Sequence, residues 1–95
     1  MGKTKPIITE DMSHCLICGS PYPEWHHACF GTADKRIADK YGLIVPLCME
    51  HHRGRTGVHQ CRAVDLQIKQ LAQRTFEEKV GGREEWMSLF GRNYL

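Results

Sequence analysis

The chain has 95 residues, with five cysteines, six histidines, a formal net charge of +2 and a pI of about 8.3. A chain of this length forms one domain with a modest core, which often needs stabilisation by a metal, a disulfide or a partner. The charge permits a nucleic-acid partner without arguing for one, and no segment reaches the roughly 18 apolar residues of a membrane span.

The first residues carry two lysines, a proline and little periodicity, so we interpret residues 1–12 as a mobile tail or a loosely docked edge. They also lack the long apolar stretch of a signal peptide, and we therefore expect a cytoplasmic location. Thiols stay reduced there, so the cysteines are expected to bind metal rather than form disulfides. The odd cysteine count favours the same interpretation, because complete pairing would leave one thiol over.

Short elements are predicted for the first half of the chain. The segment 15–31 is interrupted by a glycine and two prolines, which suits a turn followed by a short strand over 25–29. Residues 32–42 have the apolar spacing of a short surface helix or structured loop that ends at a glycine. The stretch LIVPLC that follows is typical of a brief β segment leading into a second turn.

Helical periodicity dominates the second half. Apolar positions recur at helical spacing and predict a helix over about 62–80. A Gly-Gly pair ends this helix, and the apolar residues after it indicate a further short helix over about 83–91. The predicted fold is therefore a single α+β domain over 13–95 with a C-terminal helical extension.

Two chelating pairs, each with two residues between its members, predict a metal site. Cys15 and Cys18 form the first pair, and Cys48 and His51 form the second. This spacing lets a tight turn aim both side chains at one ion, and Zn²⁺ accepts thiolate and imidazole ligands. We predict a structural zinc that stabilises the small core. Two alternatives stay open, in which His52 replaces His51 or the cysteines are inert buried side chains.

The other cysteines and histidines need a separate account. Cys29 is predicted to pack in the core, and Cys61 to lie in solvent or at a helix start. The remaining histidines exceed ordinary surface usage and indicate a second centre, formed by His26, His27, His52 and His59. Neighbouring side chains diverge on both strands and helices, so the two members of each His-His pair are expected to have different roles.

At this point the chain resembles the HNH endonucleases of the ββα-metal superfamily, in particular small phage-type members in which a CxxC turn precedes the catalytic strand. The resemblance covers about residues 15–60. Its most specific part is LIVPLCMEHH, which is similar to the family phrase L-x-P-L-C-x-x-C-H. The resemblance implies a zinc-stapled ββα-metal fold and a metal-dependent endonuclease that cuts DNA with low intrinsic sequence specificity.

The resemblance also implies roles for individual histidines. His26 corresponds to a ligand of a catalytic metal ion, and His27 to the general base that follows it. His52 corresponds to a second ligand, which leaves His51 in the slot of the fourth zinc cysteine. His59 looks like the last ligand, although the insertion RGRTGV separates it from the preceding one.

One departure concerns the asparagine of the family motif, which has no counterpart near the second β segment. A backbone carbonyl, Asp34 or Asp39 is expected to fix the tautomer of His27 instead. An inactive member of the family stays an alternative.

The chemistry also fits the residues themselves. Phosphodiester hydrolysis needs a base that works near neutral pH and a cation, and imidazole ligands favour Zn²⁺, Ni²⁺, Co²⁺ or Mn²⁺, with Mg²⁺ in a water-rich site. Arg53 and Arg55 are predicted to hold the phosphate. Lys35, Arg36 and Lys40 either follow the DNA backbone or form a solvated basic loop.

Two rival functions belong to other classes. The first is a non-catalytic zinc-dependent module that binds nucleic acid, and the second is a structural adaptor that binds protein through its C-terminal helices. A second metal ion per chain would discriminate against both. The resemblance further suggests a phage-encoded protein in a bacterial host, with a recombination or packaging protein as a partner.

Overall fold

The computed structural model describes residues 5–95, so residues 1–4 of the predicted tail lie outside the described range. Within this range the chain forms one two-stranded sheet and four helices. The predicted α+β class is confirmed. None of the helices in the described range combines the length and the apolar character needed to cross a membrane.

The elements follow the order β1, α1, β2, α2, α3, α4. Their bounds are Glu24–His27 for β1, Thr32–Tyr41 for α1, Ile44–Leu47 for β2, Met49–Arg53 for α2, Arg62–Lys79 for α3 and Arg83–Phe90 for α4. The two C-terminal helices end one residue before their predicted limits. Strand β1 ends two residues before its predicted limit, where the chain bends toward α1.

The two strands pair antiparallel, with Glu24 opposite Leu47 and His27 opposite Ile44. Because side chains alternate along a strand, Glu24 and His26 share one face of β1, and Trp25 and His27 share the other. Strand β2 is apolar and all four of its residues are buried. Helix α2 follows β2 after a single residue, so the sheet and α2 form one compact ββα unit with α1 inserted between the strands.

The core extends from the sheet into the C-terminal helices. Phe76 of α3 and Trp86 of α4 are fully buried, with ring centroids 5.5 Å apart, and Phe90 lies 4.1 Å from Trp86. The ring of Tyr41, at the end of α1, also packs edge-on against Phe76 at a centroid distance of 5.5 Å. The predicted C-terminal extension therefore supplies much of the aromatic core.

Helix α1 ends at Gly42, whose φ of +73° lies in the left-handed region that glycine adopts without strain. A side chain there would collide with the main chain of Lys5. The carbonyl of Gly42 accepts a hydrogen bond of 3.0 Å from the amide of Ile7, and both Ile7 and Ile8 pack against the core. Ile7 and Ile8 of the predicted tail are therefore docked against the core.

Candidate functional site

Four residues of the two predicted chelating pairs meet in one place, and we name them the knuckle cluster: Cys15, Cys18, Cys48 and His51. Their ligand atoms all lie within 4.8 Å of one another. The Sγ atoms of Cys18 and Cys48 are 3.7 Å apart, and Nδ1 of His51 lies 3.2 Å from Sγ of Cys48. Sulfur ligands at about 2.3 Å from a tetrahedral zinc lie roughly 3.8 Å apart. The cluster is therefore close to the geometry of a bound ion.

Main-chain hydrogen bonds shape the first turn of the knuckle cluster. The amide of Cys15 donates to the carbonyl of Ser20 at 2.8 Å, and the amide of Gly19 donates to the carbonyl of Cys15 at 2.9 Å. The amide of Leu16 donates to the carbonyl of Pro46 at 2.8 Å, which fastens the turn to β2 just before Cys48. This bond to β2 therefore brings the first chelating pair next to the second, although about 30 residues separate the two pairs in the sequence.

The donors of the knuckle cluster suit a metal. Hydrogen bonding from Ser20, whose hydroxyl lies 3.0 Å from Sγ of Cys18, lowers the pKa of the Cys18 thiol to about 7. The thiolate is the form that binds metal. A Cys₃His set within ligand distance suggests a structural metal such as zinc. His51 belongs to this set and His52 does not, which resolves the alternative that the sequence left open.

The two cysteines outside the cluster behave differently from its members. Cys29 is fully buried in the core, and burial raises the pKa of its thiol to about 12, so it stays protonated and inert. Cys61 is partly exposed and occupies the N-cap position of α3. Both positions match the predictions for these residues.

Three of the four histidines predicted for a second centre form a group, which we name the three-histidine cluster: His26, His52 and His59. Their ligand nitrogens lie within 4.8 Å of one another. The ring centroids are 5.0 Å apart for His26 and His52, 5.3 Å for His26 and His59, and 4.8 Å for His52 and His59. Three imidazoles facing one another form a group that could hold a metal ion.

His26 is the most buried member of the cluster, at 3% exposure. Its Nε2 atom is buried and has no hydrogen-bond partner among the described residues. Burial, together with the neighbouring rings of His52 and His59, lowers the pKa of His26 to about 3, so the ring is neutral at physiological pH. A buried imidazole nitrogen without a partner is costly, and a metal ion would satisfy it.

Glu24 fixes the orientation of His52. Nδ1 of His52 lies 2.6 Å from Oε1 of Glu24, and an ionised carboxylate can only accept, so Nδ1 carries the hydrogen. In this tautomer Nε2 is the acceptor nitrogen of the ring. The hydrogen bond from His52, with the charge of Arg53 nearby, lowers the pKa of Glu24. This carboxylate-histidine pair is the usual support of a metal-binding imidazole.

The loop after α2 places His59 despite the insertion. The amides of Val58 and His59 donate to the carbonyls of His51 and His52 at 2.9 and 3.3 Å, so the loop folds back on the helix. Gly57 makes this approach possible, because a Cβ there would lie 2.6 Å from the carbonyl oxygen of Glu50. The inserted residues RGRTGV therefore form a loop that places His59 in the three-histidine cluster.

His27 points away from the three-histidine cluster and pairs with Asp39 of α1. Nε2 of His27 lies 3.1 Å from Oδ1 of Asp39. Because the carboxylate accepts, Nε2 carries the hydrogen, and Nδ1 is the acceptor nitrogen of this tautomer. Of the two aspartates named from the sequence, Asp39 makes this contact.

An open cleft of about 190 Å³ connects the three-histidine cluster with His27. It is lined by Trp25, His26, His27, Phe30, Lys35, His52 and His59. A neighbouring depression is lined by His27, Lys35, Arg36 and Asp39. The structure therefore brings Lys35 and Arg36 beside His27.

The other predicted cations lie elsewhere. Arg53 makes a bidentate contact with Glu24, at 2.7 Å from Nη2 to Oε2 and 3.1 Å from Nε to Oε1. Arg55 is not among the residues that line the cleft, and Lys40 lies over the ring of Tyr41. The guanidinium of Arg53 is thus already paired with a carboxylate at the edge of the cluster.

Sequence reasoning missed Glu24. Glu24 lies one residue before the predicted strand, whereas β1 of the structure begins at Glu24 and so places it on the same face as His26, two residues further on. Phe30 was also missed. Its ring packs 5.6 Å from His26 and 5.0 Å from His59, and closes one side of the cluster.

Comparisons of the chain with models of protein families, with curated proteins and with solved structures found no match.

Proposed function

We propose that this chain is a metal-dependent endonuclease of the HNH type, which hydrolyses DNA phosphodiester bonds on a zinc-stapled ββα-metal fold. The observation that carries the proposal is the arrangement around β1. Three imidazoles converge at the cluster of His26, His52 and His59, and the adjacent His27 is held by Asp39 with one ring nitrogen free. A candidate metal site and a candidate base then lie on consecutive residues.

The knuckle cluster is assigned a structural Zn²⁺. Thiolates of three cysteines and the imidazole of His51 complete a tetrahedral donor set without an open position, as in structural zinc sites. The cluster joins the N-terminal turn to the start of α2. Its ion would hold the ββα unit together and would take no part in the chemistry.

The three-histidine cluster is assigned a catalytic divalent ion, with Zn²⁺, Ni²⁺, Mn²⁺ or Mg²⁺ as candidates. The residues fit such an ion because Nε2 of His26 is buried without a partner and Nδ1 of His52 is tied to Glu24. Three protein ligands leave positions open for water and substrate. When bound, the ion would polarise the phosphate and offset charge on the leaving oxygen.

His27 is assigned the role of general base. Its Nε2–H donates to Asp39, so Nδ1 is the atom that would accept a proton from the attacking water. Asp39 holds the ring in that tautomer and orientation. It would take the place of the motif asparagine, since amide and carboxylate oxygens both accept the same hydrogen bond.

DNA binding is assigned to the cations beside the cleft. Lys35 and Arg36 lie next to His27 and can contact phosphates on either side of the scissile bond. The guanidinium of Arg53 is paired with the carboxylate of Glu24, so it would bind a phosphate only if it contacted both groups or broke the ion pair. Phosphate contacts carry no sequence information, so low intrinsic sequence specificity follows. A recombination or packaging partner, and a phage origin, rest on the sequence resemblance alone.

The first test is a plasmid nicking assay with Mn²⁺, Ni²⁺, Zn²⁺ or Mg²⁺, combined with native mass spectrometry to count metal ions. We expect two ions per chain and cleavage that a chelator abolishes. If one ion binds and no nucleic acid is cut under any condition, a non-catalytic zinc-dependent binding module replaces the nuclease.

Two neighbouring substitutions separate metal binding from proton transfer. His27→Ala should stay folded and keep both ions, while cleavage falls by a factor on the order of 10² to 10⁴, the usual contribution of a positioned base. His26→Ala should lose affinity for the second ion and be partly rescued by excess metal. Rescue of His27→Ala but not of His26→Ala would reverse the two roles. Unchanged cleavage in both would place the active site elsewhere.

A further inference from the structure

The strand that carries His26 and His27 also presents an aromatic ring to the cleft. Trp25 lines the cleft and is 49% exposed, whereas the other tryptophan, Trp86, is fully buried. Strand alternation places Trp25 on the same face of β1 as His27. A half-exposed tryptophan next to a candidate active site is a surface that a ligand can cover.

The second aromatic residue of the cleft is already engaged. Phe30 packs against His26 and His59, and Nζ of Lys69 lies 4.5 Å from the centre of its ring. Within residues 5–95, no such ring or cation packs on Trp25. Trp25 is therefore the half-exposed ring of the cleft that no other aromatic ring or cation of the described residues engages.

Cationic groups lie in and beside the cleft. Lys35 lines the cleft together with Trp25 and His27, and Arg36 lies in the adjoining depression. An aromatic platform flanked by cations is the combination that binds single-stranded nucleic acid, with bases stacked on the ring and phosphates on the charges. A continuous duplex cannot use such a platform, since its bases stack on one another.

We propose that Trp25 stacks on an unpaired nucleobase, so that the protein prefers DNA with single-stranded segments to continuous duplex. This inference rests on the proposed nuclease function. A base stacked on Trp25 would place the adjoining scissile phosphate beside His27, the proposed general base. Stacking tolerates any base, so it adds selectivity for DNA structure without selectivity for sequence.

The test is a binding titration in the His27→Ala background, in which cleavage of the probes is expected to be slow. The probes are an oligothymidylate, a blunt duplex of equal length and the same duplex with a single-stranded gap. We expect the oligothymidylate and the gapped duplex to quench the fluorescence of Trp25. Trp86 supplies a buried background signal, and Trp25→Phe should remove the quenching.

Affinity in matched variants gives the second readout. Trp25→Ala should weaken binding of the oligothymidylate by roughly 5- to 150-fold, the loss expected for one stacked base, and weaken duplex binding much less. Tyr22→Ala is the control, because Tyr22 is 93% exposed but does not line the cleft. Trp25→Leu keeps apolar volume without a ring, and should show the same selective loss if the alanine variant folds poorly.

The outcomes separate this inference from the nuclease function. Unchanged oligothymidylate affinity in the Trp25 variants, or an equal loss on duplex, would overturn the stacking role even if the wild type cuts plasmid. Selective loss in a protein that cuts no nucleic acid would support the stacking role and reject the nuclease.

Discussion

At the scale of single residues, each His-His pair divides its members between two tasks. His26 enters the three-histidine cluster while His27 turns to Asp39, and His51 enters the knuckle cluster while His52 joins His26. Carboxylates then select which nitrogen is free, because Glu24 binds Nδ1 of His52 and Asp39 binds Nε2 of His27. The divergence of adjacent side chains made different roles predictable, and Asp39 was among the candidates for His27. The choice of Asp39 over Asp34, and the contact of Glu24 with His52, depended on the fold.

Asp39 is expected to act through His27 as a positioning residue. Asp39→Ala should lower the cleavage rate by about 10- to 100-fold with metal content unchanged, because the ring loses the acceptor that fixes its tautomer. Asp39→Asn keeps an acceptor oxygen and should recover most of the rate. The measurements are single-turnover cleavage and the nitrogen NMR shifts of His27, which should report hydrogen on Nε2 in the wild type.

Asp34→Ala is the matched control, since Asp34 lies on the same helix and carries the same charge without bonding His27. It should leave the rate close to that of the wild type. Equal losses in Asp34→Ala and Asp39→Ala would indicate a general charge effect on α1 in place of a specific hydrogen bond.

At the scale of elements, helix α2 links the two clusters. It has five residues, too few to be stable alone, yet it supplies His51 to the knuckle cluster and His52 to the three-histidine cluster. The N-cap residue of α2 is Cys48, itself a member of the knuckle cluster. An ion in the knuckle cluster would therefore also hold His52 in position.

Removing one thiol tests this dependence. Cys15→Ser should lose the structural ion and unfold at physiological temperature, because the binding free energy of a structural zinc is also folding free energy. The measurements are zinc content by mass spectrometry and thermal unfolding by circular dichroism. Normal zinc content with an unchanged melting temperature would show that the knuckle cluster does not stabilise the fold.

Cys61→Ser provides the control for the loss of a thiol. Cys61 lies outside both clusters at the N-cap of α3, where it makes no side-chain capping bond. Serine is a preferred N-cap residue, so zinc content should be unchanged and the free energy of unfolding equal or higher by about 0.5–1 kcal/mol.

The accuracy of the sequence-based predictions differs between elements for physical reasons. Helix α3 was predicted to within one residue because its apolar periodicity is long and local. The position of His59 could not be derived in this way, because it depends on contacts in the folded loop. Gly57 packs closely on the main chain of α2, and the amides of Val58 and His59 donate to the carbonyls of His51 and His52. The contact between Glu24 and His52 could not be predicted either, because the predicted strand began after Glu24 and His52 is 28 residues away in the sequence.

At the scale of the whole molecule, the C-terminal segment is part of the same core as the site. The side chain of Gln73 is fully buried, accepts from the amide of Tyr94 at 2.7 Å and donates to Oδ1 of Asn93 at 2.8 Å. The indole of Trp86 donates to the carbonyl of Arg92 at 2.8 Å. Side chains of α3 and α4 thus hold the last residues against the core, and we predict that the molecule unfolds as one unit.

Trp86→Ala tests this prediction. Removing a fully buried indole that contacts Phe76 and Phe90 should lower the free energy of unfolding of the zinc-loaded protein by about 3–5 kcal/mol. Met87→Ala, on the same helix but 37% exposed, should change it by no more than about 0.5 kcal/mol. Trp25 is the remaining tryptophan of the Trp86→Ala variant, so the fluorescence of this variant in denaturant reports on the sheet, and circular dichroism reports mainly on α3 and α4. If the two transitions coincide in this variant, the helices and the site share one cooperative core. A helical transition that precedes the fluorescence change would instead make the C-terminal helices a separate folding unit.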